Sequence, residues 1–153
     1  MAARLDNFSE LARRRGMTPA SERVAFERRR ATTQEAAALA LPDADEIVRL
    51  TRLRKADGQI FWIDVTTLAL AVLPDASAIG ESLYAYLERI GKPVLRVTEK
   101  LRAIVATEEL AARLGIEPGE PLLHIRRTGY THDDQPVELT DAYYLNDFYE
   151  LTP

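Results

Sequence analysis

Arg52 and Arg54 flank a single leucine within residues 46–70, EIVRLTRLRKADGQIFWIDVTTLAL. Residues two apart in a β-strand point to the same face. Two always-charged guanidinium forks side by side make a receptor for an anion. Around them lie two runs rich in β-branched and apolar residues, separated by the turn-forming KADGQ of residues 55–59, which is the pattern of a β-hairpin. The turn decides what the arginines meet. If Ala56, Asp57 and Gly58 form a three-residue loop, Arg54 faces Ile60, Arg52 faces Trp62 and Leu50 faces Asp64, and Arg52, Arg54, Trp62 and Asp64 share one face. A two-residue Asp57-Gly58 loop would shift the register by one and send Asp64 to the opposite face. The three-residue loop is the reading adopted. The plainer alternative is that both arginines are solvated strand residues.

A second anion-favouring position is Ser82. It stands at the start of a helix that begins near residue 81 and runs to about Ile90, with Leu83, Tyr84, Tyr86 and Leu87 on its apolar side and Gly91 as its stop. Free N–H groups and the helix dipole favour negative charge there. Simple capping is the competing role. Glu138 and Tyr144 have the same parity in the last strand, so they can face one cleft.

The remaining elements frame these residues. Residues 6–15 read as a short helix ended by Gly16, and residues 21–32 as a polar edge strand. Thr32-x-x-Glu35 resembles a capping box opening an Ala-rich helix through Leu41. After the hairpin, whose second strand reaches Leu73, and the Ser82 helix come a strand over 94–106, a helix from Thr107 to Gly115, and a second hairpin. That hairpin has strands over 121–131 and 136–145 and turns at residues 132–135. Paired hairpins without a βαβ rhythm predict a single α+β domain over residues 1–153, an antiparallel sheet with helices packed on one face or its ends.

Composition narrows the function. With 153 residues, 46% hydrophobic and 29% charged, the chain has the make-up of an ordinary globular domain with a real core. No apolar run is long enough to span a bilayer, and the first residues lack the apolar stretch of a signal peptide, so cytoplasm is the expected compartment. Cysteine is absent, which excludes disulfides, thiol nucleophiles and thiolate metal sites, and two histidines are too few for a His-based metal centre. No metal, cofactor or catalytic residue is expected. Net charge is −4, which argues against direct nucleic-acid binding, although residues 1–30 carry +4. His124 reads as a satisfied, half-buried strand residue and His132 as a turn residue.

The chain resembles the UTRA domain, the effector-sensing domain of GntR-family bacterial transcription regulators of the HutC subfamily. The resemblance rests on Arg15-Gly16-Met17-Thr18-Pro19, Arg52-Leu53-Arg54 with Asp57-Gly58, and Ser82-Leu83-Tyr84. It continues in Leu101-Arg102-Ala103, Leu114-Gly115, residues 118–123 (PGEPLL), Arg126 with Tyr130, Pro136-Val137-Glu138, and Tyr143-Tyr144 with Asp147, and it covers nearly the whole chain. It implies a chorismate-lyase-like fold with a metabolite in a cleft. Arg52, Arg54 and Ser82 match positions that hold an anionic group in sugar-phosphate-responsive relatives, and Tyr84, Glu138 and Tyr144 match aromatic and carboxylate positions. Asp64 stands where the family usually has Glu, one methylene longer. The resemblance also implies a homodimer, and contact with DNA only through an amino-terminal winged helix-turn-helix domain that residues 1–153 do not include.

The expected ligand-binding set is therefore Arg52, Arg54, Asp64, Ser82, Tyr84, Glu138 and Tyr144. The expected function is sensing of a sugar phosphate, phosphonate or carboxylate by a transcription regulator without enzymatic activity. Two alternatives stand beside it: a chorismate-lyase-type enzyme, in which an Arg clamp and a carboxylate drive elimination, and a dimerisation module with a vestigial pocket.

Overall fold

The sheet that positions the arginines is assembled from two hairpins and two flanking strands. The computed structural model of the chain describes residues 12–80 and 82–145. Its strands are β1 (Pro19–Arg30), β2 (Glu46–Ala56), β3 (Gln59–Ala69), β4 (Arg96–Val105), β5 (Pro121–Tyr130) and β6 (Pro136–Tyr144). They form one antiparallel sheet in the order β1-β2-β3-β6-β5-β4. This is the expected α+β architecture. Among the described residues three complete α-helices accompany it: α1 (Thr33–Ala38), α2 (Leu83–Arg89) and α3 (Glu108–Leu114). Of the helix expected over 6–15, residues 12–14 are helical and residues 6–11 lie outside the described residues.

Each helix starts where its cap dictates. Thr32 accepts from the Glu35 N–H at 3.1 Å while Glu35 accepts from the Thr32 N–H at 2.9 Å, so the expected capping box is present. It removes residues 31–32 from the strand expected to reach them, and β1 ends at Arg30. Arg29 reaches across to grip the Glu35 carboxylate at 2.7 and 2.9 Å, and this hydrogen-bonded pairing holds the Glu35 pKa down to about 2. Helix α1 stops short of the expected Leu41. Ala40 turns left-handed at φ 52°, Leu41 N–H bonds back to Ala36, and Pro42 follows, which cannot continue a helix.

The first hairpin departs from the expected loop. Its turn has two residues, Asp57 (φ 50°) and Gly58 (φ 77°), the left-handed pair that suits strand twist. Ala56 pairs with Gln59 and Lys55 with Ile60. The ladder then slips by one residue, leaving Phe61 out of register, so that Arg54 pairs with Trp62 and Arg52 with Asp64. The turn alone would have sent Asp64 to the far face; the bulge returns it. Arg52, Arg54, Trp62 and Asp64 do share a face, but Asp64 lies directly opposite Arg52 rather than opposite Leu50.

Helices cover the two faces in bands. On the face carrying Arg52, α2 packs Leu83, Tyr86 and Leu87 over Val48, Leu50 and Leu68. Toward the hairpin end of the same face, Ala12 and Met17 pack with Trp62, Ile125 and Tyr144. On the opposite face, α1 and its C-terminal Leu39 sit over Ile47 and Leu139, and α3 sits over Leu53, Ile63 and Leu122. Each face thus keeps a middle band of sheet between two covered ends, and polar residues occupy both bands.

Candidate functional site

Strand alternation carries Arg52 and Arg54 from β2, Trp62, Asp64 and Thr66 from β3, Glu138, Thr140 and Tyr144 from β6, and Arg127 from β5 onto one face. Arg52, Arg54 and Asp64 are each at least 94% buried. Asp64 is the hub. Arg54 Nε donates to its Oδ2 at 3.0 Å, Trp62 Nε1 donates to the same oxygen at 3.1 Å, and Arg52 Nε lies 3.5 Å from Oδ1. Burial pushes the Asp64 carboxyl up, but the Arg54 and Arg52 charges and the Trp62 hydrogen bond outweigh it, so the group sits below its ordinary pKa. Tyr144 leans on Trp62 with ring centroids 4.6 Å apart.

A second buried cluster adjoins the first. Glu138 is fully buried. It accepts from Arg127 Nε at 3.1 Å and Tyr84 Oη at 2.9 Å on one oxygen, and from Thr140 Oγ1 at 2.5 Å on the other. Thr140 directs its one hydroxyl hydrogen at Glu138, so Thr66 donates in their 3.0 Å contact. The Arg127 guanidinium also stands 4.9 Å from the Tyr84 ring centroid. Arg52, Arg54, Asp64, Thr66, Arg127 and Thr140 line a cavity of about 10 Å³ with Trp62, Ala142 and Tyr144.

The sequence-derived set divides accordingly. Arg52, Arg54, Asp64 and Tyr144 line the cavity. Glu138 and Tyr84 meet each other beside it, joined to its wall through Arg127 and Thr140. Ser82 is the N-cap of α2, its Oγ accepting from Ala85 N–H at 3.2 Å, and it is not among the lining residues. Sequence reasoning missed Arg127, Thr66 and Thr140. The signal for Arg127 was available in parity: across the turn at 132–135, a carboxylate as deeply buried as Glu138 requires a cation from the neighbouring strand. His124 is held by Asp141 at 2.7 Å and stacks on Tyr143 on the other face, a satisfied half-buried residue as expected. Among the described residues, no group of three His, Asp or Glu side chains is placed to hold a metal ion.

Residues 14–150 match the UTRA domain family. The chain belongs to that family. A curated relative, the HTH-type transcriptional repressor NagR of Bacillus subtilis, is 32% identical over 148 residues, covering 95% of this chain and 61% of the relative. The fold of this UTRA domain superposes on the ligand-binding domain of a Bordetella bronchiseptica protein assigned to the GntR family of transcriptional regulators. That match has a TM-score of 0.78 and 32% identity, covering 84% of this chain and 83% of the other. The effector domain of PhnF from Mycobacterium smegmatis shares the fold with a TM-score of 0.81 at 23% identity, covering 92% and 88% of the two chains. The UTRA domain spans 32% to 61% of the length of the curated relatives it matches.

Proposed function

We propose that this UTRA domain senses an anionic metabolite (a sugar phosphate, phosphonate or carboxylate) and, as a homodimer, sets the DNA affinity of a winged helix-turn-helix domain attached on its amino-terminal side. The observation that carries the reading is that three arginines, Arg52, Arg54 and Arg127, line one cavity. Their forks suit an oxyanion, and the Glu138–Tyr84 pair beside them suits ligand hydroxyl groups. The similarity to NagR and to GntR-family ligand-binding domains supports a regulatory role without enzymatic activity, in the cytoplasm. No described helix is long and apolar enough to cross a membrane.

A metabolite needs a pocket of roughly 300 Å³ or more, against the 10 Å³ present. Binding must therefore widen the cavity, and α2, tied to the lining residue Arg127 through Tyr84 and Glu138, is the neighbouring element to move. It carries Ser82 and Tyr84, and it follows Gly80, whose backbone (φ 67°, ψ −152°) is open to glycine and little else. Displacement of α2 is how occupancy would reach the rest of the regulator.

A thermal-shift screen of sugar phosphates, phosphonates and carboxylates tests the reading. A ligand at 100 times its Kd adds about 2.7 kcal/mol of stability. Arg52→Ala is expected to weaken that ligand by about 1.5–3 kcal/mol, and Arg52→Lys also weakens it because a point charge cannot replace the fork. Unchanged affinity in both variants would make the arginines structural. Folding survives in both, because Asp64 retains Arg54 and Trp62.

The dimer rests on β4, an edge strand on which Leu101 and Val105 are each about 60% exposed, as is Leu95 just before it. Exposed apolar edges invite pairing. Leu101→Glu is expected to shift the protein from dimer to monomer in sedimentation at tens of micromolar, an order-of-magnitude choice above typical specific dissociation constants. A parent chain that is itself monomeric would refute the dimer.

A further inference from the structure

The face opposite Arg52 carries a larger concavity. It is a groove of about 460 Å³ walled by α1 and the end of β1 and floored by β2, β3, β6, β5 and β4. Its floor follows from the register. Arg49, Thr67, Leu139, Thr128 and Thr98 pair in succession across all five strands, and Asp141, Arg126 and Lys100 form the row beside them. This is the uncovered band between α1 and α3, built as the arginine cavity is built on the other face.

The charges within it are unequally satisfied. Arg126 forks onto Asp141 at 2.9 and 3.2 Å, and Asp141 also meets His124. Arg29 forks onto Glu35. These two ion pairs close on themselves, the first in the floor and the second at the α1 wall. Glu99 pairs across strands with Arg127 and so alternates to the far face. Arg49 and Lys100 remain, and among the described residues no hydrogen bond or ion pair fixes either of them. They stand on strands four steps apart, roughly 19 Å at the usual strand spacing. Between them lie the hydroxyl groups of Thr67, Thr128 and Thr98, donors that no described side chain occupies. A volume in the range of small-molecule sites, a cation at each rim and threonines along the floor define one class of ligand.

We propose that this groove is a second binding site, separate from the arginine cavity, for a hydroxylated organic anion. Arg49 and Lys100 take its charged groups, and Thr67, Thr98 and Thr128 take its hydroxyl groups. The site does not depend on the effector reading of the other face. Two liganded faces on one sheet would let two metabolites report through the same six strands.

The test is an amide-resolved NMR titration of the ¹⁵N-labelled chain with citrate and with gluconate, glucose serving as the neutral control. Saturable shifts are expected at Thr67, Thr98 and Thr128 with at least one of the two anions, and none with glucose. Arg49→Ala or Lys100→Ala, according to the rim the small anion occupies, should weaken binding about tenfold, the size of one charge-assisted hydrogen bond, and Arg52→Ala should leave it unchanged. The proposal is overturned if neither anion gives saturable shifts in the groove. It is also overturned if glucose binds equally, or if binding responds to Arg52→Ala and to neither Arg49→Ala nor Lys100→Ala. That last result would locate the anion in the arginine cavity and so leave the effector reading standing while this one fell.

Discussion

Asp64→Ala is expected to lower the stability of the domain by about 3–5 kcal/mol, read as a fall in the urea midpoint at unchanged m-value. The residue accepts hydrogen bonds from Arg54 and Trp62, stands opposite Arg52, and is 5% exposed. Without it, two deeply buried guanidinium groups lose the carboxylate between them. A loss of that size takes a large share of the 5–15 kcal/mol typical of a domain. Asp64→Asn, which keeps the volume and removes the charge, is the variant to measure if the alanine form does not fold. Acid should have a related effect on the parent. The Asp64 pKa is depressed from its ordinary 3.8, so its contribution is complete above that value and is lost as pH falls below it toward the folded-state pKa. Asp64→Asn should lack this portion of the acid transition. Sulfate should restore the variant more than it helps the parent, because an added oxyanion can take the place the carboxylate held. Equal stability of parent and variant, or equal response to sulfate, would remove Asp64 from its place as the internal counter-ion.

How Asp64 came to be placed correctly shows where sequence reasoning works. Face and parity were legible, because side-chain alternation needs only a count of two. Turn chemistry was legible in kind: Asp57-Gly58, the capping box of Thr32 and Glu35, and the His132–Gln135 turn are all where short-range rules put them. The exact partner was not. The register depends on whether Phe61 bulges, and a bulge is selected by packing across the whole sheet, which no local rule contains. The loop and the bulge each moved the register by one, and the two together restored the face.

The site was half legible for a similar reason. Arg52, Arg54 and Asp64 belong to one hairpin, so sequence spacing nearly fixes their geometry. What brings Arg127 and Thr140 to them is β6 lying between β3 and β5, a long-range arrangement invisible in either hairpin alone. The same arrangement produces the groove on the other face. Arg49 and Thr67 come from the first hairpin and Thr128 and Arg126 from the second, with Thr98 and Lys100 added by an edge strand, and no single segment signals it.

The second large effect is expected at Glu138. Its carboxylate is wholly buried and ties β6 to β5 through Arg127, to α2 through Tyr84, and to β3 through Thr140 and Thr66. Glu138→Ala takes from Arg127, itself 7% exposed, the buried carboxylate to which it donates, and should cost about 3–5 kcal/mol in the urea midpoint. The double change Glu138→Leu with Arg127→Met should recover much of that loss, because it removes the uncompensated charge along with its partner. Gly129 offers a gentler probe of the same network. A Cβ at that position would lie 2.8 Å from Glu138 Oε1 and 3.0 Å from its Cγ, so Gly129→Ala must push the carboxylate out of its hydrogen bonds. A loss of roughly 1–3 kcal/mol is expected, the usual range for overpacking. Because Tyr84 sits on α2, both single variants should also raise hydrogen exchange in α2 relative to α3, which has no tie to this carboxylate. If α2 exchanges as slowly in Glu138→Ala as in the parent, the Tyr84–Glu138 bond does not hold that helix to the sheet, and the route proposed from an occupied cavity to α2 fails with it.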